Sequence, residues 1–193
     1  DRELLAGMME TVEDIPKDAI LGGLPWDWEE YGGYLDAIER LQPGLNVAGM
    51  VGHCAVRFYV MGERAVEEQA TDEEKREMAD VVGRSIDAGA VGFSTNRYPP
   101  HVLPDGRSIP GTFAHQDELL EIAAAVAPRD ALMQNVLDFT QFEFSTELLR
   151  NLECDGLCTF QKKRIPVMRS IIGCLCCVED RLRCCRSASL DEF

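Results

Sequence analysis

Long apolar runs are missing from this 193-residue chain. The longest, Ile171 to Val178, falls well short of the roughly 18 residues that a membrane-crossing helix requires, so no transmembrane span is expected. Basic residues are scarce beside acidic ones: 19 Lys and Arg against 34 Asp and Glu give a formal net charge of −15. Such a surface repels phosphate backbones and anionic membranes, which argues against nucleic acid and membrane partners. The N-terminus lacks a basic stretch followed by an apolar one, so no secretory leader is read and a cytoplasmic location is expected. There is also no initiator Met, and Leu4, Leu5, Met8, Met9 and Val12 already stand at helical spacing, as expected of a sequence that starts partway through a longer protein. No Gly-x-Gly-x-x-Gly follows a strand pattern, which argues against a dinucleotide fold. Histidine is rare: His53, His101 and His115 are the three, and none forms a His-x-His pair.

What is present is ordinary globular composition, 46% hydrophobic and 27% charged, enough for one domain with a sizeable core. The chain changes character near residue 153. Residues 1–153 carry 29 acidic and 12 basic side chains, whereas residues 154–193 carry 5 and 7. Seven of the eight cysteines lie in that tail: Cys154, Cys158, Cys174, Cys176, Cys177, Cys184 and Cys185. Three readings compete for this irregular, Cys-rich tail. It binds metal through thiolates, although its spacings are not paired CxxC and it holds no His. It forms disulfides, which requires an oxidising compartment. Or it is foreign to the domain, the product of a frameshift or read-through, and this last is the reading we adopt for 154–193.

Residues 1–153 alternate helix and strand patterns. A helix is predicted over 1–13, then a turn-rich loop through Gly22 to Trp28, then a helix over 31–41 with Leu35, Ile38 and Leu41 on one face. Asn46 to Gly52 reads as a buried strand. Thr71 and Glu74 make a capping box that starts a helix burying Met78, Val81, Val82 and Ile86, with Gly89 as its terminator. Ala90 to Ser94 is the next strand, and a polar loop fills 95–112. A helix over 116–127, a strand from Ala131 to Val136 and a last helix through Phe144, Leu148 and Leu152 complete the pattern. This is an α/β arrangement with a parallel sheet, fitting a doubly wound sheet or part of a (β/α)8 TIM-type barrel, incomplete because three strands cannot close one.

Several words in the sequence, in order, carry a resemblance. They are Gly23-Leu24-Pro25-Trp26-Asp27-Trp28-Glu29; Asn46-Val47-Ala48 with Val51-Gly52-His53 and Arg57; and Tyr59-Val60-Met61-Gly62-Glu63-Arg64. The longest runs from Asp87 through Gly92-Phe93-Ser94-Thr95 and Pro104-Asp105-Gly106-Arg107 to Pro110-Gly111-Thr112-Phe113-Ala114. Over about residues 1–150 the chain resembles N-acyl-D-amino-acid deacylases of the amidohydrolase superfamily. The resemblance implies a (β/α)8 barrel and a zinc-dependent hydrolase of linear amides that takes a small N-acyl amino acid and releases a carboxylate and a D-amino acid. It also implies that the family's early His-x-His pair and nearby Cys ligand lie upstream of this sequence. The later His ligands and the catalytic Asp lie downstream. None maps onto a residue here, so the chain alone is expected to be inactive, with no metal ligand and no catalytic residue.

Barrel enzymes place their working groups at the C-terminal ends of strands. The candidates for substrate contact are therefore His53 and Arg57 after the first strand and Ser94, Thr95 and Arg97 after the second. An Arg suits a substrate carboxylate because its planar fork binds bidentately. The structural alternatives stand beside these: His53 as a strand cap, Arg57 as a salt-bridge residue, Ser94 and Thr95 as turn hydroxyls. Trp26 and Trp28 read as packing residues and Cys54 as a buried, inert thiol.

Overall fold

The computed structural model describes residues 2–136, and within them the periodicities above become two layers. In chain order the elements are α1 (Arg2–Glu13), α2 (Lys17–Gly23), α3 (Tyr31–Arg40), β1 (Met50–Gly52), α4 (His53–Met61), α5 (Asp72–Asp87), β2 (Gly92–Asn96), α6 (Gln116–Val126) and β3 (Leu132–Val136). Short 3-10 turns follow α4 and α6. The strands form one parallel sheet in the order β1-β2-β3. The sheet does not close into a barrel among the described residues. The last helix expected through Phe144, Leu148 and Leu152, and the Cys-rich tail from Cys154, lie outside the described residues.

Register decides which side chains meet the helices. Val51 pairs with Phe93 and Phe93 with Met133, a row of three across the sheet. All three enter one core with Met78 and Val82 of α5 and Leu119, Ile122, Ala123 and Val126 of α6. Phe93 is fully buried, and burial of a side chain of this size stabilises by roughly 1.5–3 kcal/mol. Because strand side chains alternate, Thr95 shares the helix-facing side with Phe93, while Gly92, Ser94 and Asn96 face the other way. That other face is open among the described residues: Leu132 and Val136 of β3 remain 42% and 37% exposed.

The helix signals act as the sequence suggests. The Thr71 hydroxyl accepts from the Glu74 N–H, and the Glu74 carboxylate accepts from the Thr71 N–H at 2.8 Å. Gly89 takes φ +122° past the end of α5, and a Cβ there would lie 2.9 Å from Leu35 Cδ1. α1 does separate work. Its Met8 packs with Leu103 and Ile109, and Thr11 donates to the Val102 carbonyl, tethering the long loop after β2.

Three expected bounds are corrected. The first strand is Met50–Gly52 and not Asn46–Gly52, because pairing with β2 begins at Met50 and leaves Val47 49% exposed. The second strand is Gly92–Asn96, shifted two residues toward the C-terminus from 90–94. The helix at 31–41 stops at Arg40, where Leu41 turns out to solvent and Gln42 adopts φ +47°. Two helices were not legible: α2, a short segment after Pro16, and α4, whose His-Cys-Ala-Val-Arg-Phe-Tyr-Val-Met run has β-branched and aromatic residues that favour no helix by themselves. No helix among the described residues is long and apolar enough to cross a membrane.

Candidate functional site

Where β1 and β2 end and α4 and α6 begin, four polar side chains meet out of solvent. His53 opens α4 directly from β1, and Arg57 follows one turn later on the same helix face. Thr95 comes from β2 and Glu118 from the first turn of α6. Each of the four is at most 2% exposed. His53 Nε2 lies 2.7 Å from Glu118 Oε1 and its Nδ1 lies 2.8 Å from Thr95 Oγ1. Arg57 Nε donates to both Glu118 oxygens, at 2.9 and 3.3 Å. Its terminal nitrogens donate to the carbonyls of Ala65 and, at 2.7 Å, Glu68.

The partners fix the proton positions. Burial disfavours charge on Glu118, but the hydrogen bond from His53 and the charge of Arg57 outweigh it and hold the carboxyl below its ordinary range. Burial also pushes the His53 imidazole below its ordinary value, opposed by Glu118 and aided by the charges of Arg57 and Arg97. The ring is therefore neutral. Its Nε2–H faces an ionised carboxylate, and its Nδ1 accepts the Thr95 hydroxyl. The Phe93 ring packs edge-on against the imidazole at 5.5 Å. Gly111, at φ +94°, lies over it, where a Cβ would sit 2.6 Å from Nδ1. Arg97 is buried nearby and donates to the Ala114 carbonyl at 2.8 Å.

The structure thus brings together His53, Arg57 and Thr95, with Arg97 at their margin, on the side facing the helices. Ser94 stands on the opposite, open face, in register with Gln134. Glu118 holds the cluster together and was missed. Its signal was present, since Glu118 stands four residues before Ile122 and so places a carboxylate on the apolar stripe of α6. Beside the cluster lies a cleft of about 410 Å³, bounded by Arg57, Gly111, Phe113 and the segment at 66–69. Gln69 closes its rim, donating to the Phe113 carbonyl and accepting from the His115 N–H, both at 2.9 Å.

A second polar group occupies the open face at the end of β2, also missed. Asn96 Oδ1 accepts from the Tyr98 N–H at 2.9 Å, and Asn96 Nδ2 meets His101 Nδ1. The Tyr98 and His101 rings meet edge to face at 5.2 Å and 88°.

Neither group suits a metal. Both His53 nitrogens are engaged, Glu118 is shared with Arg57, and burial raises the Cys54 thiol above its ordinary range, away from the thiolate a metal requires. No group of three or more His, Cys, Asp or Glu among the described residues could hold an ion, so these residues do not fit a zinc centre.

No protein-family model matches the chain. An N-acyl-D-glutamate deacylase of Alcaligenes xylosoxydans xylosoxydans is 36% identical over 115 residues, 59% of this chain and 21% of that protein. A D-aminoacylase of the same organism is 30% identical over 118 residues, 61% of this chain and 22% of that protein. The crystal structure of N-acyl-D-glutamate deacylase from Bordetella bronchiseptica, complexed with zinc and a phosphonate inhibitor, superposes with a TM-score of 0.59. It is 24% identical and covers 79% of this chain and 28% of that one. The chain therefore spans about a quarter of the length of the proteins it matches. Over that part it is similar to D-aminoacylase and N-acyl-D-glutamate deacylase, proteins of the amidohydrolase family.

Proposed function

We propose that this chain is a β/α portion of a zinc-dependent amidohydrolase that cleaves the linear amide of an N-acyl-D-amino acid, releasing a carboxylate and a D-amino acid. The observation that carries the reading is the collinear similarity to two deacylases of D-configured substrates, laid onto a parallel sheet. The part played by residues 2–136 is scaffold and substrate contact. His53, Arg57, Thr95 and Glu118 act as a buried brace that sets the strand ends, with Arg97 at its margin, and Ser94 reaches substrate from the open face. A residue that is at most 2% exposed and has every polar atom engaged positions others and does not bind a ligand. Zinc has no holders among the described residues, so no catalytic step is assigned to them.

The test is binding and turnover on the purified 193-residue chain with zinc, using N-acetyl-D-methionine, N-acetyl-D-glutamate and their L enantiomers. The expected result is D-preferring binding with no release of free amine. Equal binding of both enantiomers, or none, overturns the deacylase reading. Amine release overturns the scaffold role.

A second reading is a catalytically inactive product, favoured by the same absence of a metal-holding group among the described residues. A thiol- or metal-binding module built on the Cys-rich tail is tested by thiol titration with and without zinc. Tail thiols that react equally fast in both conditions sink it.

A further inference from the structure

We infer that His101 is a substrate-binding residue whose Nε2–H donates a hydrogen bond to the carboxylate of the N-acyl-D-amino acid. This rests on the deacylase reading above and adds a residue to it. Asn96 is the last residue of β2 and stands on the open face of the sheet. That is the C-terminal end of a strand, where a parallel barrel gathers its working groups.

The Asn96 amide has its orientation fixed by the main chain. The Tyr98 N–H needs an acceptor and takes Oδ1 at 2.9 Å, so Nδ2 is the atom that meets His101 Nδ1. An amide NH2 only donates, hence His101 Nδ1 accepts and the ring carries its proton on Nε2. Nε2 has no partner among the described residues.

The ring is also held still. The His101 N–H donates to the Tyr98 carbonyl at 3.1 Å, and the His101 carbonyl accepts from the Ile109 N–H at 3.4 Å. Val102 and Ser108 bridge antiparallel just beyond. Leu103 and Ile109 pin this turn to Met8 of α1. The Tyr98 ring blocks one side of the imidazole. A rigid N–H without a partner at a strand end costs little ordering on binding. In a chain of net charge −15, an anionic ligand requires local donors of this kind. Ser94 and Gln134, in register on the same face, supply further polar contacts.

The experiment is 15N NMR of the imidazole nitrogens in the whole 193-residue protein, titrated with N-acetyl-D-methionine and with N-acetyl-D-methioninamide, which lacks the carboxylate. In the free protein His101 should be in the Nε2–H form, and Asn96→Ala should shift it toward a mixture. The acid should move the His101 Nε2 signal, and the amide should not. His101→Phe should weaken binding of the acid about tenfold or more, with His101→Gln, which keeps a donor, between the two. An Nδ1–H tautomer, or an Nε2 signal indifferent to the acid, overturns the inference on the wild-type protein alone. Acid binding unchanged in His101→Phe overturns the inference and leaves the deacylase reading standing. Absence of acid binding in the wild type overturns both.

Discussion

At Glu118 one buried carboxylate serves a neutral histidine and a guanidinium, each at most 2% exposed. Removing one member of such a set leaves the other charge buried and unpaired. Glu118→Gln should therefore cost about 3–5 kcal/mol in urea unfolding, and a loss under about 1 kcal/mol would refute the brace. His53 adds a pH signature. Its folded value lies below the ordinary 6.5, so as pH falls below about 6.5 the unfolded chain takes up a proton that the folded chain refuses, and stability drops. Glu118 acts lower. Its contribution is complete above the ordinary 4.5 and is lost as pH falls through the depressed folded value. Urea midpoints from about pH 8 to 5 should thus fall more in wild type than in His53→Gln, which has no imidazole to titrate. Parallel curves would show that His53 is not held neutral by burial.

At the scale of elements, α5 tests the local code. Its capping box and its glycine terminator are independent devices, one at each end of the helix. Thr71→Ala should cost about 1 kcal/mol through the lost cap. Gly89→Ala should also destabilise, because φ +122° is closed to an L side chain and the new methyl meets Leu35. If the Gly89→Ala protein is as stable as wild type in urea, the terminator role fails. α5 was legible because each device acts on backbone within a turn of itself: Thr71 and Glu74 on each other, Gly89 on the residues just before it. β1 and α4 were not. β1 begins where its partner begins, Met50 pairing with Gly92, and the run from His53 to Met61 becomes helical by burying Val56, Arg57 and Met61 against the rest of the fold.

For the whole molecule, one sheet face is open and the outer edges of β1 and β3 pair with no strand among the described residues, with Leu132 42% and Val136 37% exposed. Exposed apolar sheet surface binds hydrophobic dyes and promotes association. Leu132→Glu should lower dye fluorescence and light scattering at high protein concentration, and an unchanged signal would place the sticky surface elsewhere.

The sequence by itself determined the α/β alternation, the parallel sheet, the capped helix α5 and the family resemblance. These depend on short-range chemistry and on words that recur in order. It also located His53, Arg57 and Thr95 near strand ends. Only the tertiary structure decided what they face. β2 runs on to Asn96, so Thr95 and Asn96 belong to the strand, and the side Phe93 takes against α5 and α6 sends Thr95 toward the helices with His53, Arg57 and Glu118 and leaves Ser94 and Asn96 on the open face beside His101. The physical reason is that the side a strand residue faces depends on register, and register is set by packing between elements far apart in the chain.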